Sequence, residues 1–257
     1  MKSPLFIAIW LGSALLACAQ DKPASDPPVP QLAPNQQAFL NLPQEQRERF
    51  VKHIQEANRL FRDKRIFETL SELDKADDIF KDSPESLNLR GSCYVEFRAF
   101  DKAMDAFRAA EKLSPGNPSV RFNIGEVLFV KHEWREAHDL FLDLLKVLPK
   151  QRDDSFARLI EFKALLCKLR INRKEEAVAL ASKYDPLTDD SPFYYYAQAA
   201  LAYENKNTLK AEEWLAIASR VFRNPAALAS WQDTLIEFGY IKSFYGDSSE
   251  AFGNDRK

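Results

Sequence analysis

The chain has 257 residues, of which 46% are hydrophobic and 29% are charged, and its 36 basic and 38 acidic residues give a net charge of −2. This is enough apolar material for a folded body, and the even mixture of charges argues against a nucleic acid partner, which would need a basic surface. Only seven glycines occur, and the many Ala, Leu, Glu and Lys residues favour helix over sheet.

The first 18 residues have the form of a bacterial export signal. Lys2 precedes an apolar run from Leu5 to Ala17, which is too short to span a bilayer comfortably. The sequence around Cys18, Leu-Leu-Ala-Cys, resembles the lipobox of bacterial lipoproteins, in which the cysteine is acylated and becomes the new N-terminus. This resemblance implies that Cys18 is a lipid anchor.

The anchor sets the expected location of the protein. In a Gram-negative cell, Ala19 after the cysteine, where Asp would signal inner-membrane retention, implies by the same resemblance the outer membrane, facing the periplasm. The alternative is cleavage after Ala19, because the residues from Ala17 to Ala19 also form a small-x-small site. That cleavage would give a soluble periplasmic or secreted protein.

Residues 19–35 predict a disordered tether. The part from Asp21 to Pro34 contains five prolines and almost no large side chain, so it cannot bury enough surface to offset the entropy lost on ordering. A tether at this point would hold the folded body away from the membrane.

A repeat of 34 residues follows. Five positions between residues 91 and 115 meet a residue of the same kind 34 positions later: Gly91 and Gly125, Phe100 and Trp134, Ala103 and Ala137, Phe107 and Phe141, Pro115 and Pro149. One helix-turn-helix unit repeats at this spacing. The small residues are expected where two helices cross, because only a minimal side chain allows a close approach.

The order of bulky, small, aromatic and proline positions resembles the tetratricopeptide repeat. The resemblance implies an all-α solenoid of antiparallel helix pairs over residues 36–245. Ala177 and Ala211 continue the small positions after a six-residue insertion near residues 150–155. We expect five repeats, a capping helix and a flexible tail, at residues 50–83, 84–117, 118–151, 156–190, 192–225, 226–245 and 246–257.

No catalytic or metal-binding pattern is found. The segment from His132 to His138 reads HEWREAH, which differs from the zinc-binding HExxH because Glu136 stands where the second histidine would be. Its histidines are expected to face solvent. We therefore predict no enzyme activity, no metal and no cofactor, and a function as a protein-interaction scaffold.

In tetratricopeptide arrays the first helices of the repeats line the concave side, and this resemblance implies a groove that binds a partner peptide or helix. The side chains expected there are Phe122, Glu126, Phe129, Phe162, Tyr196 and Tyr203. The groove would be apolar with an acidic rim, which suits a partner that carries basic residues. The alternative is that these side chains pack between successive repeats, but we expect Phe129, Tyr196 and Tyr203 to be exposed together.

Two further possibilities remain open. The aromatic groove could instead hold a lipid or a hydrophobic small molecule, which would make the protein a carrier. The expected capping helix has a second apolar line at Ile236, Tyr240 and Phe244. This line could meet a partner, another copy of the chain, or the inside of the chain's own groove.

Overall fold

A computed structural model describes residues 32–148 and 155–242. The predicted signal with Cys18, most of the predicted tether and the predicted tail lie outside the described residues. The described part contains helices and no strand. Its helices are α1 (Pro34–Leu40), α2 (Gln44–Arg62), α3 (Ile66–Asp77), α4 (Pro84–Glu96), α5 (Phe100–Leu113), α6 (Pro118–Val130), α7 (Trp134–Val147), α8 (Ser155–Arg170), α9 (Lys174–Ala181), α10 (Phe193–Glu204), α11 (Thr208–Val221) and α12 (Pro225–Glu237).

The ten helices from α2 to α11 form five successive pairs, and the two helices of each pair pack on one another. Within each pair the turn has the same backbone form, because one non-glycine residue takes a left-handed conformation with φ near 60°. These residues are Lys64, Arg98, His132, Asn172 and Lys206, at successive separations of 34, 34, 40 and 34 residues. The all-α solenoid is therefore confirmed, and the longer third step corresponds to the predicted insertion.

The small residues of the repeat lie where two helices of a pair cross. A Cβ atom added to Gly91 would be 2.5 Å from the ring of Phe107, and one added to Gly125 would be 2.6 Å from the ring of Phe141. Both distances are far shorter than a carbon–carbon contact, so the α4–α5 and α6–α7 crossings require glycine. The alanines at the other small positions, Ala103, Ala137, Ala177 and Ala211, are all fully buried.

Proline and a short polar residue start three of the helices. Pro84, Pro118 and Pro225 each occupy the first helical turn, where a missing N–H costs nothing. The preceding residue accepts a hydrogen bond from a backbone N–H of the same turn, as Ser83 Oγ does from Ser86 at 3.1 Å. These proline and capping residues determine where each of the three helices begins.

The first helix, α1, was not predicted, and it begins inside the segment expected to be a tether. Its Phe39 packs edge to face on Phe50 of α2 and on Phe80, with ring centroids 5.1 and 5.4 Å apart. Burial of these rings offsets the cost of ordering a short helix. The folded body of the protein therefore starts at this aromatic cluster.

The last helix, α12, is shorter than expected and does not extend the stack. We predicted a helix over residues 226–245, but α12 ends at Glu237 and the chain turns at Gly239, where φ is +88°. The helix packs against α8, four helices earlier, which shows that it folds back over the array. None of the helices in the described ranges has both the length and the apolar character needed to cross a membrane.

Candidate functional site

The inner face of the array is formed by the first helices of the repeats, and in the second half of the molecule it is covered. Phe129 and Phe162 are 0% exposed, Tyr196 is 1% exposed and Tyr203 is partly buried, whereas we expected Phe129, Tyr196 and Tyr203 to be open together to a partner. That expectation was wrong because α12 and the turn after it lie on these side chains. We call the surface formed by α6, α8 and α10 under α12 the inner groove.

Trp231 is the main anchor of α12 in the inner groove. Its ring lies 5.4 Å from that of Phe162 on α8 and 5.6 Å from that of Tyr196 on α10. Leu228 and Leu235, one turn before and after it, are also buried. One face of α12 therefore bridges two repeats, with aromatic contacts that favour a single arrangement.

The turn after α12 extends the contact to a third repeat. The ring of Phe238 stacks on Phe129 of α6 at 5.9 Å and meets Trp134 of α7 at 5.2 Å. The ring of Tyr240 stacks on Tyr203 of α10 at 5.2 Å. Helix α12 and this turn thus span the first helices of three successive repeats.

Phe122 has a different role from the other predicted groove residues. Its ring is 6.4 Å from Phe141 of α7 and 4.8 Å from Phe156 of α8, so it packs between repeats. Phe122 therefore follows the alternative stated above, in which the side chain packs between successive repeats, and it is not part of the inner groove.

A cluster of charges around one buried lysine lies at the centre of the inner groove. The Nζ atom of Lys163 on α8 is 3.0 Å from Glu126 on α6 and 3.3 Å from Glu237 at the end of α12, and the Lys163 side chain is 2% exposed. The same Nζ atom lies 4.7 Å from the centre of the Phe129 ring. One ammonium group therefore forms ion pairs with two carboxylates and a cation–π contact with one aromatic ring.

The cluster changes the acidity of its members. Burial and the negative charge of Glu237 raise the pKa of Glu126 to about 7, although Lys163 opposes the shift. Burial also works against the charge of Lys163, but the two carboxylates outweigh it and raise the pKa of that ammonium group. Around neutral pH, Glu126 therefore gains or loses a proton while Lys163 stays charged.

The pKa of Glu126 predicts a pH dependence. Because this pKa is raised in the folded protein, the stability associated with a protonated Glu126 is complete below about pH 4.5 and is lost as the pH rises through 7. Glu126→Gln, which resembles the protonated form, should thus become more stable relative to the wild type between pH 5 and pH 8. Thermal unfolding of both proteins across this range measures the difference.

The comparison with the variant is needed because two histidines act in the opposite direction. Burial lowers the pKa of His132 and His138, so their contribution is complete above about pH 6.5 and is lost as the pH falls below that value. Both proteins contain these histidines, so their effect cancels. A stability difference between wild type and Glu126→Gln that does not change with pH would contradict the assignment.

A second cation borders the inner groove. The guanidinium of Arg170, at the end of α8, lies 4.1 Å from the centre of the Phe238 ring and donates to Glu204 at 2.8 Å. The hydroxyl of Tyr240 donates to the same carboxylate at 2.6 Å. Glu126 and Glu204 are therefore paired within the chain, which corrects the expectation of a free acidic rim for a basic partner.

The two histidines of the HEWREAH segment have different surroundings. His132 lies in the turn between α6 and α7 and stacks on Trp134, with ring centroids 4.8 Å apart. His138 is fully buried, which corrects the expectation that it faces solvent, and its Nδ1 is paired with Asp139 at 2.8 Å. Over the ranges 32–148 and 155–242, no three side chains of the metal-binding types come together.

Sequence reasoning missed three charged residues of the inner groove: Lys163, Arg170 and Glu237. One signal was present, because Lys163 interrupts a run of apolar residues in α8 that is buried on every side. A lysine in such a position needs a carboxylate partner, since burying an unpaired charge is very costly. That partner could have been sought on another helix.

Comparison with solved structures identifies the fold. The chain is similar to a protein described in a functional characterisation of Pseudomonas aeruginosa pilF, with a TM-score of 0.53 and 16% identity over 76% of this chain and 94% of that one. It is also similar to YrrB, described as a TPR protein with an unusual peptide-binding site, with a TM-score of 0.50 and 20% identity over 77% of this chain and 98% of that one. No family model matches the chain, and no curated protein matches it in sequence. At this level of identity the similarity shows a tetratricopeptide-type fold.

Proposed function

We propose that this protein is a non-enzymatic scaffold, anchored by a lipid in the bacterial cell envelope, that binds a protein partner along the inner face of its helical array. One observation carries the proposal: the inner groove already holds a helix, α12, through aromatic rings on α6, α8 and α10. Recognition of a helix in an apolar groove with aromatic anchors is a common mode of protein binding.

The similarity to YrrB supports a peptide or protein as the ligand, because that protein is described as having a peptide-binding site. A carrier of lipid would need an enclosed apolar cavity. Here the aromatic side chains Phe129, Phe162 and Tyr196 pack against α12 instead. The proposal therefore favours a helical or extended protein segment over a small molecule.

The anchor is tested separately from the scaffold. Cys18→Ala removes the thiol that would be acylated, so the protein should move from the membrane fraction to the soluble fraction of the cell envelope. Fractionation and immunoblotting measure the distribution, and metabolic labelling with a fatty acid reports acylation. A wild-type protein that is already soluble and unlabelled would support cleavage after Ala19 and exclude the anchor.

The scaffold is tested by covalent capture in living cells. A photoreactive amino acid is placed at Ser92, on the part of the inner face that α12 leaves partly open, and in a matched variant at Lys102, which is exposed on α5. We expect a discrete adduct with one protein from Ser92 and none from Lys102. Equal adducts at both positions, or adducts only at Lys102, would contradict binding along the inner face.

A further inference from the structure

The contacts between α12 and the inner groove resemble those of a bound ligand more than those of a stacked repeat. Each repeat packs on the one before it, but α12 leaves this order and reaches back to α8. Only residues 222–224 connect it to α11, and Phe222 of this link packs on Tyr195 of α10, which keeps the end of α11 in place. The five helix pairs pack on one another through their own small residues, and α12 adds its contacts at the end of the chain.

The chemistry of the groove defines what fits it. Trp231 and Phe238 are seven residues apart, or about two helical turns, and therefore face the same side. Between them and the array lie two cations, Lys163 and Arg170, which meet the carboxylate of Glu237 and the ring of Phe238. The groove thus accepts an aromatic ring, then a carboxylate and a second aromatic ring two turns later.

We propose that the protein partner binds in the inner groove itself, that it is a helical segment with this acidic and aromatic pattern, and that it must displace α12 to bind. This inference rests on the proposed function and adds to it a site and a regulation. In the free chain α12 occupies the groove, so a partner can bind only the fraction of molecules in which α12 has left it. Its apparent affinity is reduced by that fraction.

The charge cluster limits the free energy that is needed to release α12. When α12 leaves, Lys163 keeps its partner Glu126, and Arg170 keeps its partner Glu204. Neither cation is left without a carboxylate, and the groove gains water. The array can therefore remain folded while α12 is released, and a partner carboxylate can take the place of Glu237.

The test uses a fluorescent synthetic peptide that covers residues 224–242 and the full chain purified in a mild detergent. Trp231→Ala/Phe238→Ala, the release variant, removes the anchors of α12 and leaves the groove unchanged. We expect the peptide to bind the release variant at least about tenfold more tightly than the wild type, as measured by fluorescence anisotropy. Tyr240→Phe, which removes only the hydroxyl that bonds Glu204, should give a smaller gain in the same direction.

Matched controls locate the binding. In the release variant, Arg170→Ala should weaken peptide binding, whereas Arg173→Ala, which pairs with Glu176 in the following turn, should leave it unchanged. A peptide with both aromatic residues replaced by alanine should not bind. Circular dichroism checks that each variant keeps its helices. If the release variant does not fold, the comparison of Tyr240→Phe with the wild type still tests the inference.

Three results would overturn the inference. Equal binding to the wild type and the release variant would show that α12 does not compete for the site. No binding to either would show that the groove does not take a free helix. A free chain that is a dimer by light scattering, and a monomer in the release variant, would make the occupant a second copy. None of these results decides the proposed function, which depends on the Ser92 adduct.

Discussion

Lys163→Met should lower the free energy of unfolding by about 3 kcal/mol at pH 8, because it leaves the carboxylates of Glu126 and Glu237 facing each other without a cation. Removing the buried cation costs more than the ion pairs themselves contribute, since the two partly exposed carboxylates then lie close together with no positive charge between them. Methionine keeps most of the volume of the lysine stem, so the packing changes little.

The loss should be smaller at acid pH. The pKa of Glu126 is raised to about 7 in the wild type, and without Lys163 this carboxyl should hold its proton more strongly still. At pH 5 a protonated Glu126 would not repel its neighbour, so the loss of the cation should cost less. Urea unfolding of wild type and Lys163→Met at the two pH values measures both effects.

Two further variants test the cause. Lys163→Met combined with Glu126→Gln and Glu237→Gln should recover most of the loss, because no charge is left in the site. Lys210→Met removes a cation from an exposed pair with Glu213 and should cost less than about 0.5 kcal/mol. If Lys163→Met costs no more than Lys210→Met, the charge cluster does not hold α12 in place.

Gly91→Ala and Gly125→Ala should each destabilise the protein by about 2 kcal/mol. The added methyl group would lie 2.5 or 2.6 Å from a buried phenylalanine ring, and such overpacking typically costs 1–3 kcal/mol. Replacing glycine by alanine inside a helix contributes up to about 1 kcal/mol in the opposite direction. The steric cost dominates because the rings of Phe107 and Phe141 are almost completely buried and cannot move aside.

Equal losses at the two glycines are the specific expectation, since the two positions are equivalent in successive repeats. Gly91→Ala with Phe107→Leu should recover part of the stability, because the smaller side chain makes room. Ser92→Ala, on the same helix but only partly buried, should be neutral or slightly stabilising. A stable Gly91→Ala or Gly125→Ala protein would mean that the helices do not cross at these positions.

The regular part of this molecule was predictable from its sequence. Glycines and alanines at 34-residue spacing predicted the all-α solenoid, which the left-handed turn residues from Lys64 to Lys206 confirm. Such regularity is local: each pair of helices needs only its own small residues and those of its neighbours. The anchor at Cys18 and the location in the envelope stay predictions, because they fall outside the described residues.

The state of the inner groove was not predictable in the same way. The positions of Phe129, Phe162 and Tyr196 on the first helices followed from the period, but their exposure did not. Their exposure depends on where α12 packs. The repeat pattern does not predict this position, because α12 is not part of a repeat. The sequence analysis left three possible contacts open for the second apolar line of this segment. The contact observed at Tyr240 is with the chain's own groove.

The most direct test of the account is whether α12 lies in the inner groove of its own chain in solution. Tyr203→Cys/Tyr240→Cys, combined with Cys18→Ala, places two thiols where the wild-type rings stack at 5.2 Å, while Cys93 and Cys167 are buried and free. A short bifunctional thiol reagent should link the two cysteines within one chain, and Tyr203→Cys alone should give no link. Failure to link them, or links only between chains, would contradict the account.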